Sequence, residues 1–288
     1  MRECSPRALE DRALNIRKDV LRMISLSPGG GLLESFALVE ILVYLYWNFL
    51  RTNPSSPLDP DQDRFLLGCV HASPVHYAVL AHAGFFPRED LWSYGKLGAM
   101  LQGSPDIRRT PGIRYPVSSN GHILGIASGM ALGLRASRKG RSSENPRIVA
   151  CLDVRELQEG VAWEALRIAR EFSLENLVVV VNCSERTGEK LPSIWLDVNR
   201  IRSRMDLLGW ETLEGEGHDY SSIREAFCNP GKASGLPRCI FLHTRIGRGI
   251  PSLEESGASP DFSDRSWLAG ALHEMESFFA KLREERTE

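Results

Sequence analysis

The sequence has few features of a membrane protein, a disulfide-rich protein or a nucleic-acid-binding protein. Its six cysteines are scattered, without a CxxC pair or a histidine at metal-ligand spacing. This spacing predicts reduced thiols in a cytoplasmic protein rather than a disulfide framework or a structural zinc site. The formal net charge is only −2, so no strong overall field favours nucleic acid or an anionic membrane.

Uninterrupted apolar runs of membrane-spanning length and common catalytic motifs are also absent. The most apolar long segment covers residues 32–50, but Glu34 and Glu40 interrupt it. Because carboxylates are costly in lipid, this segment predicts a buried helix rather than a membrane span. There is no GxSxG nucleophile elbow, no P-loop and no GxGxxG after a strand, which argues against the enzyme classes that use those motifs.

Short apolar runs alternate with helical patterns along the chain. The run NLVVVV (176–181) is an uninterrupted β-branched segment, typical of a central parallel strand that is covered on both faces. The alternation predicts an α/β fold, a three-layer doubly wound parallel sheet, in a single domain over residues 1–288. Predicted strands are RFLL, RIVACL, NLVVVV, WETLEG and RCIFLHT; predicted helices cover 7–25, 33–50, 73–83, 87–97, 124–137, 161–172, 198–208, 217–227 and 265–286.

Several collinear runs resemble one family. They are DRFLL…HASPVHYAVLAHAGFFP (63–87), LQGSPD…TPG (101–112), GIASGMALGL (125–134), ELQEGVAWEAL (156–166), NLVVVV (176–181), GW…EGHD…IREAF (209–227) and TRIGRGI (244–250). Together they resemble the N-terminal half of transketolase, the part that binds the diphosphate of thiamine diphosphate. The resemblance covers roughly residues 15–255, and it implies the thiamine diphosphate-binding fold.

The resemblance implies a metal–diphosphate site at two strand ends, but the matching residues differ here. In the family the first turn reads GDGELQEG, its Asp binding the divalent metal, and the second strand ends in DNN, whose last Asn is a further ligand. The metal-binding Asp falls on Val154, which has no donor atom, and the flanking glycines fall on Asp153 and Arg155. The family's DNN falls on Asn182, Cys183 and Ser184. Thiamine diphosphate and Mg²⁺ are therefore expected from the family but doubtful here.

Two neighbours of Val154 bear on what replaces the metal. Neighbouring residues on an extended segment point in opposite directions, so Asp153 is not expected to substitute for the lost ligand. The Arg155 side chain either supplies a positive charge in place of the metal, since arginine binds phosphate well, or merely fills the space.

The family's histidines and glycine-rich loops are only partly matched. Positions that hold histidine in the family fall on Gly31 and Ser104, whereas His71 is retained. In the loop SSNGHI (118–123), Gly121 is kept and His122 replaces the family's Gln. The resemblance makes His71 a candidate catalytic residue and Gly121 and His122 candidate cofactor-binding residues. His71 is equally consistent with a role in capping the following helix.

The helix after the first turn keeps the family pattern. Glu156 matches and is a candidate cofactor-binding residue, with Val154, Arg155, Asn182 and Ser184 at the same site. The resemblance implies that Glu159, Trp163 and Glu164 lie at a subunit interface, and Glu159 is also a candidate catalytic residue.

These observations lead to one main hypothesis and two alternatives. The main hypothesis is a transketolase-like subunit that is degenerate in metal–thiamine diphosphate binding, not catalytic alone, and regulatory or scaffolding in role. The first alternative is an active subunit of a split two-chain enzyme that transfers a two-carbon ketol unit. The second is a small-molecule-binding protein that reuses the pocket. The expected partners are a second copy of the chain, a transketolase C-terminal-half (pyrimidine-binding) subunit, or both.

Overall fold

The computed structural model describes residues 4–28, 30–115, 120–137, 145–185, 197–229, 235–262 and 265–285. Within these ranges the strands are β1 (Arg64–Leu67), β2 (Ile148–Asp153), β3 (Leu177–Glu185), β4 (Glu211–Glu216) and β5 (Arg238–Arg245). The helices are α1 (Pro6–Leu26), α2 (Leu32–Ala37), α3 (Val39–Tyr44), α4 (Ser73–His82), α5 (His122–Ser137), α6 (Gly160–Glu171), α7 (Val198–Leu207), α8 (Tyr220–Cys228), α9 (Pro251–Ser256) and α10 (Arg265–Glu285).

The five strands form one sheet in the order β1-β2-β3-β5-β4, and every neighbouring pair is parallel. The predicted parallel α/β fold with flanking helices is therefore confirmed. The β-branched strand β3 is central, as predicted, and its residues 177–183 are buried. Since all strands run in the same direction, their carboxyl ends meet at one edge of the sheet, where ligand sites of such folds usually lie.

Two predicted helices differ from the structure. The segment 33–50 is divided into α2, α3 and a π-helical turn Leu45–Phe49. The division occurs at Leu38, whose N–H bonds to the carbonyl of Ser35 three residues back. The segment 87–97 forms only a 3-10 helix, Arg88–Ser93, which ends where Tyr94 takes a ψ of 133°, and Gly95 then follows with a positive φ of 70°. The short helix α9 was not predicted. The predicted C-terminal helix is confirmed as Arg265–Glu285, and residue 286 lies outside the described residues.

The carboxylate of Glu40 is buried within this helical segment and is paired. Arg17 of α1 contacts it at 2.7 Å, and His218 lies 3.0 Å away through Nδ1. Burial alone would raise the pKa of Glu40, but Arg17 and His218 outweigh burial and hold the pKa below its usual value. The sequence therefore predicted the burial of this segment correctly.

A second buried carboxylate fixes the opposite edge of the sheet. Asp63, just before β1, accepts backbone N–H groups from Arg51 at 2.9 Å and from Arg147 at 2.7 Å. Both guanidinium groups also contact it, at 3.0 and 2.7 Å. This cluster ties the start of β1 to the start of β2.

All six cysteines lie among the described residues, and none of them is joined to another in a disulfide. No helix in the described ranges is long and apolar enough to cross a membrane.

Candidate functional site

The turn after β2 is a 3-10 helix, Val154–Gln158, with a capping box at its start. The sequence Asp-x-x-Glu favours this motif because the Asp side chain accepts a backbone N–H of the first turn, and the Glu side chain accepts the backbone N–H of the Asp. The carboxylate of Asp153 accepts the N–H of Arg155 at 3.0 Å, and Glu156 Oε1 accepts the N–H of Asp153 at 3.0 Å. The turn that replaces the family's glycine-containing one is thus a well-bonded element.

An ion pair joins the first residues of this turn. Arg155 Nε donates to Asp153 Oδ1 at 2.6 Å, and Arg155 Nη2 donates to Asp153 Oδ2 at 2.9 Å. The Asp153 side chain is only 8% exposed and the Arg155 side chain 28%. Bidentate pairing of this kind is the strongest geometry available to arginine.

Ser184 joins the ion pair from the end of β3. Its hydroxyl donates to Asp153 Oδ2 at 3.0 Å and accepts from Arg155 Nη2 at 3.3 Å. The structure therefore brings together the two strand ends that the resemblance indicated. Asp153 was not expected to substitute for the lost metal ligand, yet it lies at the centre of this hydrogen-bond network. Its side chain and that of Ser184 lie on the same face of neighbouring strands.

The network extends across the sheet through Asn182. Its amide Nδ2 lies 3.5 Å from Asp153 Oδ2, and its Oδ1 accepts from Thr244 Oγ1 on β5 at 2.7 Å. Thr244 was not identified from the sequence. Its position opposite Ser184 in the β3–β5 register would have identified it once the strand order was known.

Gly121 and Glu156 are also brought together. The backbone N–H of Gly121 donates to Glu156 Oε2 at 3.2 Å, and Gly121 has a φ of +76°. A Cβ there would lie 2.8 Å from the Cβ of Glu159, so the position requires glycine on both steric and conformational grounds. Burial raises the pKa of Glu156, although the N–H groups of Asp153 and Gly121 favour its ionised form.

The carboxylates around the end of β1 make this region acidic. Burial, together with Asp153, Glu156 and Glu34, raises the pKa of the Cys69 thiol to about 12. A Cβ on Gly68 would lie 2.7 Å from the carboxylate of Glu156, so β1 ends directly against that side chain.

The two candidate histidines are exposed and make few contacts. His71 lies in a 3-10 helix, Val70–Ala72, and its carbonyl accepts the N–H of Gly31 at 2.8 Å. No side-chain cap precedes α4, so His71 does not cap that helix. The Nδ1 of His122, at the start of α5, lies 3.3 Å from the carbonyl of Asn120.

Val154 is buried and offers no donor atom. Among the described residues, no group of three or more His, Cys, Asp or Glu side chains is placed to hold a metal ion.

The candidate interface residues lie on or beside α6. Glu159 and Glu164 are exposed, whereas Trp163 is half-buried. The indole N–H of Trp163 donates to the carbonyl of Leu157 at 2.7 Å, and the guanidinium of Arg204 lies 4.0 Å from its ring centre. Trp163 therefore fixes the 3-10 turn to α6 within the chain itself.

A parallel sheet with helices around it and polar side chains gathered at the carboxyl ends of its central strands defines an open α/β domain, in which ligands usually bind at that edge. The sequence matches the family described as transketolase, thiamine diphosphate binding domain, over residues 13–260. The chain belongs to the transketolase family.

Relatives and solved structures agree with this membership. A transketolase family protein of Sinorhizobium fredii is 31% identical over 249 residues, which cover 86% of this chain and 87% of that protein. Mouse transketolase is 31% identical over 252 residues, which cover 87% of this chain but only 39% of that protein. The structure of Campylobacter jejuni transketolase gives a TM-score of 0.79 at 26% identity, covering 88% of this chain and 40% of that one.

Proposed function

We propose that this chain is a transketolase-like N-terminal subunit in which an internal ion pair takes the place of the metal–diphosphate site. In this proposal the chain is not catalytic by itself and acts in the cytoplasm as a regulatory or scaffolding partner. The observation that carries the proposal is the bidentate pair of Arg155 and Asp153, with Ser184 bonded to both.

The charge of the turn supports this reading. A carboxylate that binds Mg²⁺ leaves net positive charge for a diphosphate, whereas Asp153 and Arg155 together sum to zero. The carboxylate of Glu34 lies close enough to Cys69 to raise the pKa of that thiol, so a diphosphate would meet further negative charge. The residues at the turn therefore do not fit a metal–diphosphate group bound in the family's way.

Arg155 is also poorly placed to bind a diphosphate without a metal. Its Nε and Nη2 both donate to Asp153, so the ion pair would have to open before those atoms could bind an anion. Opening it would leave the nearly buried carboxylate of Asp153 without its cation, which is costly. The geometry thus favours Arg155 as a residue that fills the site.

A split two-chain enzyme is the second candidate. The chain spans about 39% of the length of mouse transketolase but 87% of the Sinorhizobium protein, so a relative of similar length exists. Ketol transfer in the family also requires the pyrimidine-binding part, which a separate chain would supply in this reading. This candidate predicts two-carbon transfer when such a chain is added.

A surface for a partner is available on α5 and α6. Three exposed glycines, Gly125, Gly129 and Gly133, follow one face of α5, and a Cβ on any of them would meet nothing within 4 Å. The neighbouring helix α6 exposes Ile168, and Phe172 follows it at the C-cap. Close approach of another helix and burial of these two side chains would suit either a second copy or a C-terminal-half subunit.

Restoring the family residues tests the main proposal. The variant with Val154→Asp, Arg155→Gly and Ser184→Asn returns the metal ligands and removes the guanidinium. We expect it to bind thiamine diphosphate only when Mg²⁺ is present, by calorimetric titration. The matched control carries Val154→Asp alone, which retains the ion pair and is expected not to bind. If the triple variant folds but shows no metal-dependent binding, residues other than these prevent it and the ion pair is not the cause.

A further inference from the structure

Two adjoining cavities lie beside the carboxyl ends of β3, β4 and β5, and neither is lined by Asp153 or Arg155. Their volumes are about 490 and 430 Å³, and Glu185 and Arg245 line both. The space for a ligand is therefore displaced by one to two strands from the turn after β2.

The smaller cavity presents charges of both signs. Glu185 and Arg245 occupy paired positions on β3 and β5, and Glu216 lies at the end of β4. None of these three side chains forms an ion pair with another residue in the described ranges. The other charged groups are engaged, since His243 pairs with Glu214 and Arg248 with Glu254. A ligand here would meet one cation and two carboxylates that form no ion pair within the part of the chain that the structure describes.

The larger cavity adds an apolar surface. Ile246, Pro251 and Phe278 line it together with the carboxylates of Glu254 and Glu255, and Ile246 is buried. Since Glu185 and Arg245 belong to both cavities, one ligand could place a polar end against these charges and an apolar end against Phe278.

A buried ionic network supports the wall that carries Arg245. The N–H of Arg245 donates to His218 Nε2 at 2.8 Å, so Nδ1 must carry the imidazole proton and donate to Glu40. Glu40 in turn pairs with Arg17, whose side chain is fully buried and whose Nε donates to the carbonyl of Arg248 at 3.0 Å. The network fixes the backbone on both sides of the turn at the cavity wall, which preorganises the site.

We propose that the two cavities form one binding site for an α-amino acid with an apolar side chain. Arg245 binds the carboxylate, Glu185 and Glu216 bind the ammonium group, and the side chain packs against Ile246, Pro251 and Phe278. A simple anion would face the two glutamates, and a simple cation would face the arginine. Only a ligand that carries both charges can pair with the arginine and with the glutamates. This site is independent of the closed turn after β2.

Calorimetric titration of the full chain with three related probes tests the assignment. The probes are L-leucine, 4-methylpentanoate, which lacks the ammonium group, and 3-methylbutylamine, which lacks the carboxylate. We expect leucine to bind and each analogue to bind at least about tenfold more weakly, since one lost ion pair of 1.4 kcal/mol gives that factor. Glycine, which lacks the apolar side chain, is expected to be weaker than leucine by a similar factor.

Two variants locate the binding. Arg245→Gln and Glu216→Gln should each weaken leucine binding about tenfold or more, while Arg108→Gln, a surface change on a loop outside the site, should leave it unchanged. Unfolding curves of each variant verify that it is folded. The proposal is overturned if leucine does not bind at about 10 mM, if either singly charged analogue binds as well as leucine, or if a folded Arg245→Gln variant binds leucine normally.

Discussion

Arg155 donates two hydrogen bonds to Asp153, at 2.6 and 2.9 Å, and only Val154 lies between the two residues in the chain. The turn thus contains its own cation where the resemblance implies that transketolases hold a metal. An ion pair built into the chain needs no exogenous ion, and it leaves no net charge with which to bind a diphosphate.

Removing the guanidinium should destabilise the fold. In Arg155→Met the buried carboxylate of Asp153 keeps its backbone and Ser184 contacts but loses its cation, so we expect the free energy of unfolding to fall by about 1–3 kcal/mol. Urea unfolding at pH 7 measures this change. Arg108→Met is the control, because that side chain is 88% exposed and should cost less than about 0.5 kcal/mol. Equal effects of the two changes would mean that the pair contributes little.

The glycine at the start of α5 should not tolerate a side chain. Gly121→Ala places a Cβ 2.8 Å from Glu159 Cβ at a φ of +76°, which we expect to cost about 1–3 kcal/mol. Gly270→Ala, at an exposed position of α10 outside the proposed partner surface, adds a Cβ to open space and should stabilise the helix by about 0.5–1 kcal/mol. Opposite signs in thermal unfolding are the expected result; a loss in both variants would contradict the local account.

Acid should weaken the fold partly through Asp63. Burial opposes ionisation of this carboxyl, but hydrogen bonds from Arg51 and Arg147 outweigh it and lower the pKa below its usual value. Because the folded pKa lies below the unfolded one, the stabilisation is present above about pH 4. It is lost as the pH falls through the folded pKa.

The variant Arg51→Gln should reduce that acid dependence. It removes one of the two guanidinium groups at Asp63, from a side chain that is 39% exposed, so the folded pKa returns toward its ordinary value. Unfolding free energies measured from pH 6 down to pH 2 should show a smaller decline than in the unaltered chain. An unchanged slope would show that Asp63 does not contribute to it.

The exposed face of α6 should take part in assembly. Ile168→Lys places a charge on the proposed partner surface, so we expect any dimer, or complex with a C-terminal-half chain, to dissociate in light-scattering measurements. Leu58→Lys is the matched control, since Leu58 is 80% exposed on a loop before β1. Dissociation by Leu58→Lys but not by Ile168→Lys would place the interface elsewhere.

Much of the fold was predictable because its signals are local. The run NLVVVV specified a central strand, and α8 begins where Asp219, a residue type that favours helix starts, accepts the N–H groups of Ser221 and Ser222. The division of residues 33–50 was not predictable from apolar content, because Leu38 breaks a segment that is apolar on nearly all sides. The 3-10 helix at 88–93 was missed because helical residue types there end at a glycine with positive φ.

The site was only partly predictable because it depends on tertiary contacts. The resemblance around Val154 and Ser184 indicated which strand ends meet, and the structure brings those ends together. The role of Asp153 was missed, since alternation along one strand says nothing about the serine on the next. Thr244 and the cavities beside Arg245 depend on the order β3-β5-β4, in which a later strand inserts between earlier ones.

Direct titration of the unaltered chain with thiamine diphosphate and Mg²⁺ tests the central claim. It is made with the chain alone and with a transketolase C-terminal-half chain, and a transketolase of full length serves as the positive control. The ion pair of Arg155 and Asp153 predicts no metal-dependent binding in either arm up to about 1 mM. Micromolar binding that disappears when Mg²⁺ is chelated would contradict the account and favour an active split enzyme.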